Sequence, residues 1–152
     1  MVYGYSGPQL RTSGASVRHD RCVNRLFRFI LRVRQKRMIY QYFSEEEFVC
    51  SETGENKITP EFLQALDNLR DACGFPFYIT SGYRSPDHSL ERVKVKPGTH
   101  AQGIAADIHV ENGIERYKIV EEAIKLGFGG IGVAKMFVHV DIRTTGPVMW
   151  TY

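Results

Sequence analysis

Two short apolar segments with polar groups at their centres constrain this chain most. Residues 104–110 (IAADIHV) hold Asp107 among Ile and Ala, and residues 137–142 (FVHVDI) hold His139 and Asp141 among Phe, Val and Ile. Their length and β-branched content predict two strands. Because side chains alternate along a strand, the second segment presents on one face Phe137, His139, Asp141 and Arg143. A carboxylate in such a strand is costly unless it is paired or bound to a cation.

Capping signals predict two helices between residue 38 and the first strand. Ser44 and Glu47 form a capping box ahead of a short helix over residues 45–49. Thr59 precedes a second helix over residues 60–73, which has proline at its first position and glycine directly after its end.

The remaining segments complete an α+β pattern. Residues 77–80 and 130–134 read as strands, and residues 82–103 read as a long loop rich in Gly, Pro, Ser and charges. Residues 114–126 read as a helix with an apolar stripe at Tyr117, Val120 and Ile124. We therefore expect a small, mainly antiparallel sheet with the two longer helices packed against it.

Two histidines and a carboxylate could form a metal site. His100 and Asp107 stand seven residues apart across a segment of small residues that includes Gly103. With His139 they would give the ligand set of a catalytic zinc, which leaves a fourth position for water. Zinc lowers the pKa of such water to about 7, as a hydrolase needs. The alternative is that Asp107, Asp141 and His139 form ordinary hydrogen-bonded pairs with Arg84 or Arg143.

Other histidines and aromatic residues have competing interpretations. His109 shares a strand face with Asp107 and could replace one ligand, whereas His88 is interpreted as a residue of the site's rim. Trp150 and Tyr152 could line a cleft, but a place in the core is the favoured interpretation.

Three motifs in a fixed order resemble those of the peptidase M15 family. They are SGYRSP at residues 81–86, THAQGIAADI at residues 99–108 and FVHVDIR at residues 137–143. The resemblance covers residues 38–152 and is strongest to short members of the family encoded by phages. It implies the zinc fold shared with the hedgehog signalling domain, with the metal at one end of the sheet under the 82–103 loop. It also implies hydrolysis of peptide bonds in bacterial peptidoglycan.

The resemblance implies a role for each matched residue. His100, Asp107 and His139 would be the zinc ligands. Arg84 would bind the substrate's carboxylate or carbonyl oxygen and stabilise the developing oxyanion. Ser85 would bind substrate and orient Arg84 or Asp107.

The general base departs from the family's pattern. Well-studied branches have Glu or Asp a few residues before the last zinc-binding histidine, whereas residues 133–137 (VAKMF) contain no carboxylate. Asp141 is interpreted either as the base or as a residue that orients a ligand. Two alternatives to an enzyme therefore stay open: a non-catalytic zinc module that binds cell wall or protein, and a phage structural module of the same fold.

Residues 1–37 differ from the rest in charge. They hold nine Lys/Arg and one Asp, a net charge of +8, whereas residues 38–152 have a net charge of −5. The segment is interpreted as a disordered or amphipathic basic extension that could contact anionic envelope polymers, and Met38 could be the true start of the protein.

Composition adds expectations about the protein's surroundings. The sequence contains no run of eighteen or more apolar residues, so we expect no transmembrane helix. Arginines interrupt any apolar segment that could serve as a secretory signal. The three cysteines form no CxxC pair, which favours free thiols. We expect a monomer that binds peptidoglycan peptides and not nucleic acid. It would reside in the host cytoplasm before release to the cell wall.

Overall fold

The computed structural model of the protein describes Met1 and residues 40–152. The predicted basic extension therefore lies outside the described residues, apart from Met1. Its interpretation and the boundary at Met38 remain predictions. In the described part, no helix has the length and apolar character that crossing a membrane requires.

The fold is α+β, as predicted. A 3-10 helix, Glu45–Phe48, precedes helices α1, Pro60–Cys73, and α2, Gly113–Lys125. The five strands are β1, Ile79–Ser81; β2, Ala105–His109; β3, Gly130–Val133; β4, Phe137–Asp141; and β5, Val148–Thr151. They form one sheet in the order β1-β2-β4-β3-β5, in which only the β3–β5 pair is parallel.

Capping fixes the two longer helices where the sequence places them. The Thr59 side chain accepts a hydrogen bond from the backbone N–H of Phe62, and Gly74 ends α1 with a φ of 76°. Only a residue that tolerates this left-handed conformation closes the helix without strain. The side chain of Asn112 accepts hydrogen bonds from the first turn of α2. These caps set where each helix begins against the sheet.

One face of the sheet packs against the helices and forms the core. Ile108 of β2 lies opposite Val138 of β4, and Ala106 lies opposite Val140. All four are fully buried, together with α1 residues Phe62, Leu63, Leu66 and Leu69. The alternate residues of the same strands therefore point to the other face of the sheet.

The apolar stripe predicted on α2 is wrong at two of its three positions, whereas Val120 is partly buried and packs against the core. Tyr117 and Ile124 are largely exposed, and the fully buried residues of this helix are Ile119 and Ala123. This helix also contacts α1, where the Cys73 thiol lies 3.8 Å from the carbonyl oxygen of Lys118.

The loop over residues 82–103 contains no helix or strand, as expected, but backbone contacts hold it in place. The carbonyl of Gly103 accepts a hydrogen bond from Thr59 N at 2.8 Å, at the start of α1. Gly103 has a φ of 72°, and a Cβ there would lie 2.9 Å from the carbonyl carbon of Lys57. Glycine is thus required both by conformation and by close approach. This junction brings His100 towards β2.

Candidate metal centre

Three side chains converge where the loop meets the sheet. Asp107 of β2 and His139 of β4 are paired in register, and His100 reaches them from the loop. His139 Nδ1 lies 2.8 Å from Asp107 Oδ1, and His100 Nε2 lies 3.1 Å from His139 Nδ1 and 3.2 Å from Asp107 Oδ1. Neighbouring ligand atoms of a tetrahedral zinc site are about 3.3 Å apart, given bonds of about 2.0–2.1 Å. All three residues are buried, so the triangle has the size and composition of a metal site.

The outer hydrogen bonds of the two imidazoles point their lone pairs inward. His100 Nδ1 lies 2.7 Å from the carbonyl oxygen of Gly82, which can only accept, so the proton is on Nδ1. His139 Nε2 lies 3.0 Å from Asp141 Oδ2 and donates to that carboxylate. In neutral imidazoles, His100 Nε2 and His139 Nδ1 then direct lone pairs at the oxygen of Asp107. Such a cluster is suited to hold a cation between the three atoms, and a fixed outer partner is typical of metal-binding histidines.

The charges around the cluster favour a cation. Burial alone would raise the pKa of Asp107, but the hydrogen bonds that His100 and His139 donate when protonated, and their positive charge, lower this pKa far below that of free aspartate. Burial alone would lower the pKa of His139, but its hydrogen bonds with Asp107 and Asp141 raise this pKa above that of free histidine. Both shifts mean that positive charge at the centre is stabilised, whether it comes as a proton or as a metal ion.

Asp141 lies behind His139 and not in the open cleft. Its side chain is fully buried, and Arg143 Nε contacts both carboxylate oxygens at 2.8 and 3.0 Å. Burial opposes ionisation, but the hydrogen bonds from Arg143 outweigh it and lower the pKa of Asp141 far below its usual range. A carboxylate held in this way orients His139 and has little tendency to accept a proton.

Two glycines on β3 make room for this polar face. Gly130 is paired with Asp141, and a Cβ at Gly130 would lie 2.6 Å from Asp141 Cγ. Gly132 is paired with His139, and a Cβ there would lie 2.7 Å from the indole ring of Trp150. The sequence signal of this arrangement is the Gly-x-Gly spacing of residues 130–132, which matches the His-x-Asp spacing of residues 139–141.

Trp150 and Tyr152 line the cleft, so the favoured interpretation of core residues is wrong for this pair. The Trp150 ring lies 5.2 Å from the His139 ring and 5.1 Å from the guanidinium of Arg143. Tyr152 is 69% exposed and packs against Trp150 and Phe137. Trp150 lies in β5 and Tyr152 directly follows it, and their side chains are on the same face of the chain. The sequence did not predict this strand. Trp150 and Tyr152 form one wall of a cavity of about 780 Å³ that also exposes His100, His139 and Arg84.

Arg84 lies beside the cluster, as its assigned role requires. Its Nη2 donates to Asp107 Oδ2 at 2.8 Å, and its Nε donates to Ser81 Oγ at 2.9 Å. Ser81 was not predicted for this purpose. The contact predicted for Ser85 is absent, because its hydroxyl donates to Glu55 Oε2 at 2.9 Å and so anchors the loop. The hydroxyl that holds Arg84 is that of Ser81.

The two alternative histidines lie outside the cluster. His88 is a buried residue of the 82–103 loop whose Nε2 lies 3.4 Å from Glu52 Oε1, and it does not line the cleft. His109 is at the far end of β2, opposite Phe137. Among the described residues, the group of metal-ligating side chains is His100, Asp107 and His139.

Comparison with known families gives one finding that agrees with this geometry. A family model described as Peptidase M15 matches residues 41–141, which include all three clustered residues and Arg84. A search of curated proteins found no match to this chain.

Proposed function

The chain belongs to the peptidase M15 family, whose peptidases depend on zinc, and from that premise we propose that it hydrolyses peptide bonds of bacterial peptidoglycan. The observation that carries the proposal is the convergence of two imidazole nitrogens and one carboxylate oxygen within 3.2 Å of one another at the floor of an open cleft. A hydrolase needs this combination of a metal site and substrate access.

We propose His100, Asp107 and His139 as the zinc ligands. When bound, zinc supplies Lewis acidity and a water of lowered pKa, about 7 in well-characterised zinc hydrolases. The chain's own contribution begins with the outer contacts. Gly82 O fixes the ring of His100, and Asp141, itself held by Arg143, fixes the ring of His139. Such partners keep ligands in the geometry that binding requires.

Arg84 is proposed to bind the carbonyl oxygen of the scissile bond and to stabilise negative charge there. Ser81 and Asp107 hold two of its nitrogens, so the guanidinium is oriented before substrate arrives. A preorganised cation at a developing oxyanion is typically the largest single contribution to catalysis of this kind. The aromatic wall of Trp150 and Tyr152 would exclude water from the peptide that lies over it.

Asp141 is proposed to orient His139 and not to act as the general base. Glu111 and Asp87, the other carboxylates considered from the sequence, are exposed and lie outside the cleft lining. Among the described residues, Glu61 at the start of α1 is the carboxylate that lines the cleft. We propose it as the first residue to test for proton transfer.

One observation favours a second function. The burial and ion pairing of Asp141 leave the metal without an obvious neighbouring base, which is what a non-catalytic zinc module would show. In that case the protein would bind cell wall without cutting it. The absence of turnover with retained zinc and wall binding would support this alternative.

Digestion of purified peptidoglycan, followed by mass analysis of the fragments, tests the proposal directly. Release of D-Ala from pentapeptides would indicate a D,D-carboxypeptidase, and cleavage within stems or cross-bridges would indicate an endopeptidase. The Arg84→Met variant should keep its zinc and lose turnover. Equal digestion by Arg84→Met and the parent protein would contradict the assigned site.

The endolysin-like role is also part of this proposal and rests on the resemblance to short phage members of the family. An endolysin made in the host cytoplasm should lyse cells only when the inner membrane is permeabilised. We propose to measure culture turbidity after expression, with and without a permeabilising agent. Lysis without permeabilisation, or no lysis with it, would argue against this role.

A further inference from the structure

Each cationic side chain that lines the cleft forms an ion pair with a buried carboxylate. Arg84 pairs with Asp107, Arg143 with Asp141, and Lys94 with Glu91. In each pair the cation is the more exposed partner: 18% against 8% for Arg84, 26% against 0% for Arg143, and 42% against 1% for Lys94. The carboxylates therefore hold the cations from behind, while the positive groups face the cavity.

This arrangement gives the cleft a positive surface. Three cationic side chains line it, compared with one carboxylate, that of Glu61. A cleft lined by one sign of charge concentrates ligands of the opposite sign. The proposed roles of Arg84 and Arg143 account for two of these cations and leave Lys94 without a role, which a free carboxylate on the peptide would give it.

Lys94 is the most exposed of the three cations, at 42%, and keeps donors free for a ligand. Two of the nitrogens of Arg84, and likewise of Arg143, are already engaged by protein oxygens. Lys94 Nζ donates to Glu91 Oε1 at 2.6 Å, which leaves two of its three N–H groups. Its ammonium lies against Gly98, where a Cβ would approach within 2.9 Å, and close to Thr99 in the cleft lining.

Glu91 holds this lysine and the adjoining backbone together. It is buried in the 82–103 loop, and its Oε2 accepts a hydrogen bond from Gly98 N at 3.0 Å. Burial opposes ionisation, but the hydrogen bonds from Lys94 and Gly98 lower the pKa of Glu91. One buried carboxylate thus fixes both the ammonium and the loop segment that leads into His100.

We propose that Lys94 determines specificity by binding a free carboxylate of the peptide substrate, and that Glu91 is the positioning residue that aims it. The substrate class is a peptide with an unamidated carboxylate close to the scissile bond. This inference rests on the proposed function for its substrate. The carboxylate has two possible sources: the peptide's C-terminus, or an acidic branch such as the α-carboxylate of γ-linked D-Glu.

The test uses one muropeptide stem in three forms: both carboxylates free, the C-terminus amidated, and the D-Glu carboxylate amidated. Turnover is measured as kcat/KM. Binding is followed by the fluorescence of Trp150, the chain's one tryptophan, before turnover proceeds. The zinc-loaded parent should prefer the free form over one amidated form by about tenfold, the worth of a charge-assisted hydrogen bond. The form that loses affinity identifies the source.

Matched variants isolate Lys94. In Lys94→Met the preference for the free form should fall towards 1, with zinc content unchanged. Lys96→Met removes an exposed lysine of the same loop outside the cleft lining and should keep the preference. Glu91→Gln retains an acceptor for Gly98 but no charge behind the ammonium, so its preference should be intermediate. A purely structural role of Glu91 would change stability and leave the preference intact.

Two failures can be told apart. If the parent cuts none of the three peptides but still binds the free form more tightly through Lys94, the catalytic proposal fails and the inference stands. If the parent cuts all three equally, or if Lys94→Met keeps the parent's preference, the inference is overturned while the proposed function survives.

Discussion

Strands β2 and β4 have one apolar face and one polar face, and the two faces are stabilised in different ways. On one face, Ile108 and Val138 pack against each other and the helices without any polar contact. On the other, Asp107 and His139 occupy the next positions along the same strands, equally buried. The apolar face is stable through burial alone, because apolar surface removed from water needs no specific partner.

The polar face cannot be stable in that way. Its buried polar groups need hydrogen-bond partners. When the outer nitrogen of each histidine donates to its partner, the inner nitrogen directs a lone pair at the centre. On the apolar face, burial stabilises the fold. On the polar face, burial of charged and polar groups costs free energy and creates a site suited to a cation. Changes on the first face should lower stability and leave the metal in place, whereas changes on the second should lose the metal and, with it, the stability that metal binding adds.

The largest expected effect separates two adjacent residues of β4. His139→Ala should reduce zinc from about one per chain to near zero and turnover to background, because only two ligands remain. Val138→Ala, on the opposite face, should keep the zinc and lose about 1.5–3 kcal/mol of stability from the buried side chain. Metal analysis and denaturant unfolding measure both. Full zinc retention in His139→Ala would remove this residue from the ligand set.

A second effect concerns metal removal. If the polar face relies on the cation, chelation should lower the free energy of unfolding, by about 4 kcal/mol when free zinc exceeds its Kd a thousandfold. Val138→Ala should lose the same increment as the parent, whereas His139→Ala should be insensitive to chelator. Unfolding curves with and without EDTA measure this. An equal response of all three proteins would mean that zinc stabilises through another site.

The sequence predicted the three side chains that cluster better than it predicted their surroundings. Asp107 and His139 could be identified because a charged or polar residue in an apolar strand has few explanations, and ordered motifs strengthened each assignment. The cap at Thr59 depends only on local sequence and was equally accessible. What failed depends on distant contacts: the face that α2 buries, and the hydroxyl that holds Arg84.

The strand β5 shows why such features escape sequence analysis. Its four residues are too few to show periodicity, and its parallel pairing with β3 depends on a distant segment. Because β5 was not predicted, nothing in the sequence indicated that Trp150 and Tyr152 lie over Gly132. Aromatic residues that are apolar by composition were therefore assigned to the core, although they form the cleft wall.

A third effect decides the role of Asp141. As the residue that orients His139, its replacement by Asn should weaken zinc binding by about 10–100-fold. Turnover at saturating zinc should then fall by less than the 10²-fold expected for a general base. Zinc titration and kinetics on the same samples separate the two. Asp71→Asn, at an exposed carboxylate of α1, is the control and should change neither value. Unchanged zinc affinity with a larger loss of turnover would restore Asp141 as the base.

The smallest expected effect tests whether the glycines of β3 belong to the polar face. An added Cβ at Gly132 would meet the rings of Trp150 and Tyr152 at 2.7–2.8 Å, and Tyr152 is exposed enough to move aside. Gly132→Ala should therefore keep its zinc and raise KM by about tenfold or less, since one wall of the cleft shifts while the ligands stay in place. Gly113→Ala, where nothing lies within 4 Å of the added Cβ, should leave kinetics unchanged and slightly stabilise α2. If Gly132→Ala instead loses zinc, the aromatic wall supports His139 directly, and cleft and metal site are a single unit.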